Sequence, residues 1–112
     1  AWCQTCQQEA AATEQELVQA YRGRGVRVVH VLVQDDQRRT PTVEVCSVWV
    51  ARHGLTVPVL IDAQFITQAF VPMAACPGAV VVGADGRILA RAHGNPTLAA
   101  IRPALDAALP TP

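Results

Sequence analysis

Lysine is absent from the 112 residues, so that all nine basic side chains are arginine. This absence excludes Schiff-base chemistry and a nucleotide-binding loop that depends on lysine. An excess of charge is also absent, because nine acidic residues balance the nine arginines. The composition therefore gives no electrostatic basis for binding nucleic acid or an acidic membrane surface. No apolar run approaches the roughly 20 residues that a membrane-spanning helix needs.

The chain is long and apolar enough to form one domain around a single core. Hydrophobic residues make up 51% of its 112 residues, and charged residues make up 16%. This composition excludes intrinsic disorder, which requires low hydrophobicity and high net charge. Four cysteines are present, but a chain of this length can fold around its aliphatic residues without disulfide staples.

Apolar runs and chain breakers predict helices and strands in alternation. The predicted helices cover Cys3–Arg22, Pro41–His53 and Thr97–Leu109, with one or two helical turns over Asp62–Phe70. The predicted strands cover Val26–Val33, Val57–Ile61, Gly78–Gly83 and Ile88–His93. The pair Asp85-Gly86 lies between the last two strands and predicts a hairpin. This order predicts an α/β layer structure with a partly parallel sheet and an antiparallel edge.

The sequence Trp2-Cys3-Gln4-Thr5-Cys6 places a C-x-x-C motif at the start of the first predicted helix. Free backbone N–H groups and the helix dipole stabilise a thiolate at the first cysteine and lower its pKa. The second cysteine, one turn inside, is placed to attack a mixed disulfide. A structural zinc half-site and a plain disulfide are the alternatives. Zinc needs a second pair at similar spacing, and Cys46 and Cys76 lie thirty residues apart, so redox chemistry is favoured.

Several segments together resemble the thioredoxin superfamily, and in particular the TlpA/ResA-like branch of thiol–disulfide oxidoreductases and related redoxin domains. The resemblance covers nearly the whole chain. It is carried by Trp2-Cys3-x-x-Cys6-x-x-Glu9, by His53–Asp62, by Cys76-Pro77 and by Val81–Ile88. It implies a three-layer thioredoxin-like sandwich, in which a mixed sheet is flanked by helices, and it implies no cofactor or resident metal.

The resemblance also implies roles for single residues. Cys3 matches the attacking cysteine, Cys6 the resolving cysteine, and Trp2 the aromatic residue that flanks the active site. Glu9 matches an acidic residue that tunes the thiols and relays a proton; the alternative is a solvated helix charge. Pro77 matches a cis-proline that presents backbone groups to an extended substrate; the alternative is an ordinary trans-proline at the start of a strand.

Two residues depart from the pattern of that branch. Cys76 stands where Thr, Val or Ile is more common, so it is either a third thiol near Cys3 or a small buried hydrophobe. Thr5 stands where proline is usual, which leaves the direction of electron transfer open. Among the remaining residues, Cys46 and Trp49 are expected in the core. His30, His53 and His93 are expected to be satisfied structural histidines.

The resemblance further implies a central strand leading directly into the C-x-x-C helix, and residues 1–112 contain no such strand. We therefore expect an N-terminally incomplete thioredoxin-like domain over 1–112. The missing strand is expected from an upstream segment or from another chain by domain swapping.

The leading functional hypothesis is a thiol–disulfide oxidoreductase that acts on protein disulfides and is recycled by an upstream thiol partner. By resemblance it works outside the cytoplasm, in the periplasm or anchored to a membrane through an upstream segment. The alternatives are a Cu/Zn metallochaperone using Cys3, Cys6 and Cys76, a peroxiredoxin-like peroxidase, and a redox-inactive module with a structural Cys3–Cys6 bridge. Nucleic acid is not an expected partner.

Overall fold

The computed structural model describes residues 4–35, 37–70, 77–93 and 97–109. It contains three α-helices: α1 (Gln4–Thr13), α2 (Val43–His53) and α3 (Thr97–Ala108). The four strands are β1 (His30–Leu32), β2 (Val59–Ile61), β3 (Gly78–Val82) and β4 (Ile88–His93). A π-helical segment (Glu14–Gln19) continues α1, and a 3₁₀-helix (Ile66–Ala69) follows β2. The predicted alternation of helices and strands is confirmed.

The described strands form two separate two-stranded ribbons. Strand β1 pairs with β2 in parallel, with His30 opposite Val59, and β3 pairs with β4 antiparallel. The ribbons are not hydrogen-bonded to each other in the described part of the chain. The parallel ribbon together with the antiparallel hairpin confirms the predicted mixed α/β class, with the strands divided between two ribbons.

Local chemistry explains where α2 and the hairpin begin and end. The Thr42 hydroxyl accepts a hydrogen bond from the Val45 N–H and caps α2 at its start. Gly54 ends the helix in the left-handed conformation, with φ of 62°, which glycine adopts without a Cβ clash. In the hairpin, Gly86 has a φ of 85° and the Asp85 carboxylate accepts from the Arg87 N–H. The predicted end of α2 at His53 and the predicted hairpin are confirmed, whereas α2 begins at Val43, two residues after the predicted start at Pro41, because Thr42 is the extended cap residue.

Strand β1 is shorter than predicted, because only its last residues find a partner. The sequence predicts a strand over Val26–Val33, and the structure has one over His30–Leu32. The ladder starts where the His30 N–H donates to the Pro58 carbonyl and ends where the Asp62 N–H donates to the Leu32 carbonyl. In this parallel register the backbone groups of Val31 point away from β2, toward an edge with no strand partner among the described residues.

Two hydrophobic clusters hold the helices against the ribbons. In the first, Leu17 and Tyr21 pack with Val81 of β3 and with Leu98 and Ile101 of α3. In the second, Ala10 of α1 packs with Leu32 of β1, Trp49 of α2 and Leu55. The helical stretch that begins at Gln4 therefore contacts both clusters. Its position depends on the packing of both ribbons.

Candidate thiol site

The helix α1 positions the described members of the predicted thiol site. Cys6 lies one turn inside α1 and is half-buried. Glu9, three residues further on, is also half-buried, and its Oε2 atom is shielded from solvent. The spacing of three residues places the two side chains on one face of the helix. This burial differs from that of a fully solvated helix charge, while the proton-relay role of Glu9 stays a prediction.

The same face of α1 is anchored to the core below the thiol. Ala10, four residues after Cys6, has an exposed fraction of 0%. One turn after Glu9, the Thr13 hydroxyl donates to the Glu9 carbonyl at 2.8 Å. Such a bond from a side chain back to the helix competes with the regular backbone ladder. The regular α-helix ends at this residue and the π-helical segment begins at Glu14.

The other predicted site residues lie at or outside the limits of the described structure. Trp2, Cys3 and Cys76 lie outside the described residues, so their predicted roles stay predictions. Pro77 is described and half-buried, and it immediately precedes β3. Its position at the start of a strand is common to the cis-proline prediction and to the ordinary trans-proline alternative. The structure therefore brings together Cys6 and Glu9, and it leaves the opposing side of the site as a prediction.

The remaining cysteine and two of the histidines belong to the core around α2. Cys46 is half-buried, and its Sγ lies 3.8 Å from the Val59 carbonyl oxygen, as expected for a core residue. Trp49 is 3% exposed, which confirms its predicted core position. His30 accepts a hydrogen bond from the Trp49 indole, as predicted for a structural histidine. His53 differs, because its buried Nε2 atom has no hydrogen-bond partner among the described residues.

Sequence analysis missed a contact that ties the end of α1 to the segment before β2. The Glu14 carboxylate accepts hydrogen bonds from the N–H and the hydroxyl of Thr56 at 2.7–3.0 Å. These bonds lower the pKa of Glu14, although partial burial acts in the opposite direction as the largest single effect. The partners are 42 residues apart in sequence. No local pattern signals such a contact.

The described residues contain no cluster of three or more His, Cys, Asp or Glu side chains that could hold a metal ion. The three-thiol set of the metallochaperone alternative includes Cys3 and Cys76, which lie outside those residues. None of the helices in the described part of the chain is long and apolar enough to cross a membrane.

The mixed α/β fold and the cysteine-bearing first helix fit the thioredoxin-like class of proteins. The chain matches the Redoxin family over residues 1–109 and belongs to that family. Membership establishes the thioredoxin-like fold and a thiol-based redox function in general terms. Members of the family are generally oxidoreductases, with either thiol–disulfide or peroxidase activity. The comparison with curated proteins found no significant match.

Proposed function

We propose that this redoxin is a thiol–disulfide oxidoreductase that exchanges electrons with protein disulfides through Cys3 and Cys6. The observation that carries the proposal is the W-C-x-x-C motif at α1. Cys3 comes immediately before the first described residue of the helix, and Cys6 lies half-buried one turn inside. A helix start favours the thiolate form of a cysteine, and partial shielding suits a resolving thiol.

The proposed reaction consists of two exchanges. The Cys3 thiolate attacks one sulfur of a substrate disulfide, forms a mixed disulfide and releases the other substrate sulfur as a thiolate. The Cys6 thiolate then attacks the Cys3 sulfur, so that the Cys3–Cys6 disulfide forms and the second substrate thiol leaves. Two electrons pass from the domain to the substrate. An upstream dithiol partner returns them, and the reverse sequence oxidises a substrate dithiol.

The half-buried Glu9 supports a proton-transfer role within this scheme. A carboxylate near a thiol pair disfavours a second negative charge and can accept a proton from the resolving thiol. The shielding of its Oε2 atom strengthens such effects, because electrostatic interactions are stronger away from water. Trp2, Cys76 and Pro77 are proposed to contact the extended substrate, which pairs with the backbone beside Pro77 by strand addition.

The finer assignment to the TlpA/ResA-like branch is part of the same proposal. It is supported by the sequence of the first helix and by the X-Pro step before β3. It carries the expectation of an extracytoplasmic location, with protein disulfides as substrates and an upstream thiol protein as partner. A location assay with the full-length chain, comparing periplasmic and cytoplasmic fractions, tests that expectation.

Insulin reduction by dithiothreitol tests the proposed activity. We expect wild-type protein to accelerate the reaction, and Cys3→Ser to abolish the acceleration. Cys46→Ser is the matched control, since Cys46 lies on α2 and outside the proposed site, and it should retain the wild-type rate. A wild-type rate equal to that of Cys3→Ser refutes the proposal. Rapid peroxide-dependent sulfenic acid formation at Cys3, without insulin reduction, assigns the chain to the peroxidases of the family instead.

A further inference from the structure

Three aromatic side chains form a cluster where α2 packs against β1. The Trp49 indole N–H donates to Nε2 of His30 at 3.0 Å. The His53 ring packs edge-on against the indole, with ring centroids 4.4 Å apart and an angle of 62° between the ring planes. Trp49 is 3% exposed and His30 is half-buried, so the hydrogen bond between them is partly shielded from solvent. This side-chain hydrogen bond links α2 directly to β1.

The bond requires a neutral imidazole at His30. An indole nitrogen is a donor only, so Nε2 of His30 must carry the lone pair and Nδ1 the proton. Protonation of His30 places a hydrogen on Nε2 as well, and the two N–H groups then point at each other. Trp49 loses its acceptor in the interior, where an unpaired polar group is unfavourable.

The surroundings of the pair oppose a positive charge. Burial is the main cause that lowers the pKa of His30 to about 4, and repulsion from His53 adds to it. The pKa of His53 is lowered too, first by burial and then by Arg52. On α1, which reaches the cluster through Ala10, the nearest titratable side chains in sequence are Cys6 and Glu9.

We propose that the His30–Trp49 hydrogen bond is an acid-sensitive lock that holds α2 against β1. When His30 takes up a proton, the indole is released and the second hydrophobic cluster loosens locally. Ala10 of α1 belongs to that cluster, so the loosening extends to the helix that carries Cys6. The lock is a property of the fold and stands whether or not the proposed reaction is correct.

Nuclear magnetic resonance tests the lock on the full-length chain. The Trp49 indole N–H and the His30 ring are followed from pH 7.5 down through the pKa of about 4 given for His30. We expect the indole N–H resonance to lose its hydrogen-bonded chemical shift with the same midpoint as His30. The amide resonances of β3 and β4 should not shift over this range. An indole resonance that is constant through the His30 titration overturns the proposal. So does simultaneous loss of all native resonances, which indicates global unfolding.

Two variants show which histidine causes the response of Trp49 to pH. His30→Gln keeps a neutral acceptor near Nε2 and should leave the Trp49 resonance independent of pH. His53→Gln should keep the wild-type response, with a midpoint shifted upward because one source of repulsion is removed. Loss of the response in His53→Gln, with His30 still titrating, assigns the effect to His53 and overturns the proposal. If His30→Gln does not fold, the proposal is still tested in the wild-type protein by comparing the midpoint of the Trp49 indole resonance with that of the His30 ring.

Discussion

The position of the cysteine-bearing helix depends on a single small residue, and replacing Ala10 with leucine tests that dependence. Ala10 has an exposed fraction of 0% and packs against Leu32, Trp49 and Leu55, each of which is at most 6% exposed. The larger isobutyl side chain of leucine must fit among these buried side chains. Overpacking of this kind costs about 1–3 kcal/mol, which is a change of up to about two orders of magnitude in the folding equilibrium. Urea unfolding followed by circular dichroism measures the loss.

The neighbouring residue provides a matched control. Ala11 is on the same helix and is exposed, so Ala11→Leu should change stability by no more than about 0.5 kcal/mol. Alanine and leucine are both strong helix formers, so the difference between the two variants reports packing and not helix propensity. Equal unfolding midpoints for the two variants would refute the close contact of α1 with β1 and α2. A loss in Ala10→Leu alone supports it.

Three further perturbations test other contacts of the fold. Because folding lowers the pKa of His30 from 6.5 to about 4, the free energy of unfolding is highest above pH 6.5 and falls as pH drops toward about 4. Urea titrations across this range should show a loss of at most about 3 kcal/mol. A free energy of unfolding that does not change with pH contradicts this expectation. Tyr21→Phe removes the hydroxyl that donates to Asp106 at 2.8 Å and should cost about 1 kcal/mol in thermal unfolding, whereas an unchanged midpoint shows that the bond is immaterial. A valine- and threonine-rich segment fused ahead of Ala1 should pair with β1 and slow hydrogen exchange at the Val31 amide, which faces the edge of β1 with no strand partner among the described residues. The same segment interrupted by proline should not slow this exchange. Equal exchange rates in the two fusions contradict the expectation.

Elements with local signals could be predicted from the sequence. Thr42 and Gly54 mark the two ends of α2 because capping and the left-handed conformation depend on the residues at those positions. The Asp85-Gly86 turn is predictable for the same reason, since few other pairs adopt its geometry. The C-x-x-C motif is recognised by its spacing, and Glu9 by the family resemblance together with its spacing of three residues from Cys6. Each of these signals is contained within a few neighbouring residues.

Features that depend on distant partners could not be predicted in this way. The link between Trp49 and His30 joins a helix to a strand 19 residues earlier, and each residue alone looks like ordinary core. The π-helical segment begins at Glu14, whose carboxylate is held by Thr56. Helical composition continues unbroken through this region, and the presence of Thr13, whose hydroxyl donates to the Glu9 carbonyl where the regular helix ends, does not by itself predict a change of helix type. Tertiary contacts decided these details.

The strands themselves indicate which edges of the ribbons are outer edges. Strand β2 follows Pro58, and β4 carries Arg91; proline and charge are features that protect edge strands. Strand β3 contains the continuous aliphatic run Ala79–Val82, which is typical of a strand with neighbours on both sides, whereas the stretch Val26–Val33 around β1 is largely aliphatic but includes Arg27 and His30. A further strand between β1 and β3 stays an expectation from the family resemblance, with which the aliphatic composition of β3 agrees. Because α1 packs against both ribbons, such a strand would lie beneath the helix that carries Cys6 and would fix the thiol relative to Pro77.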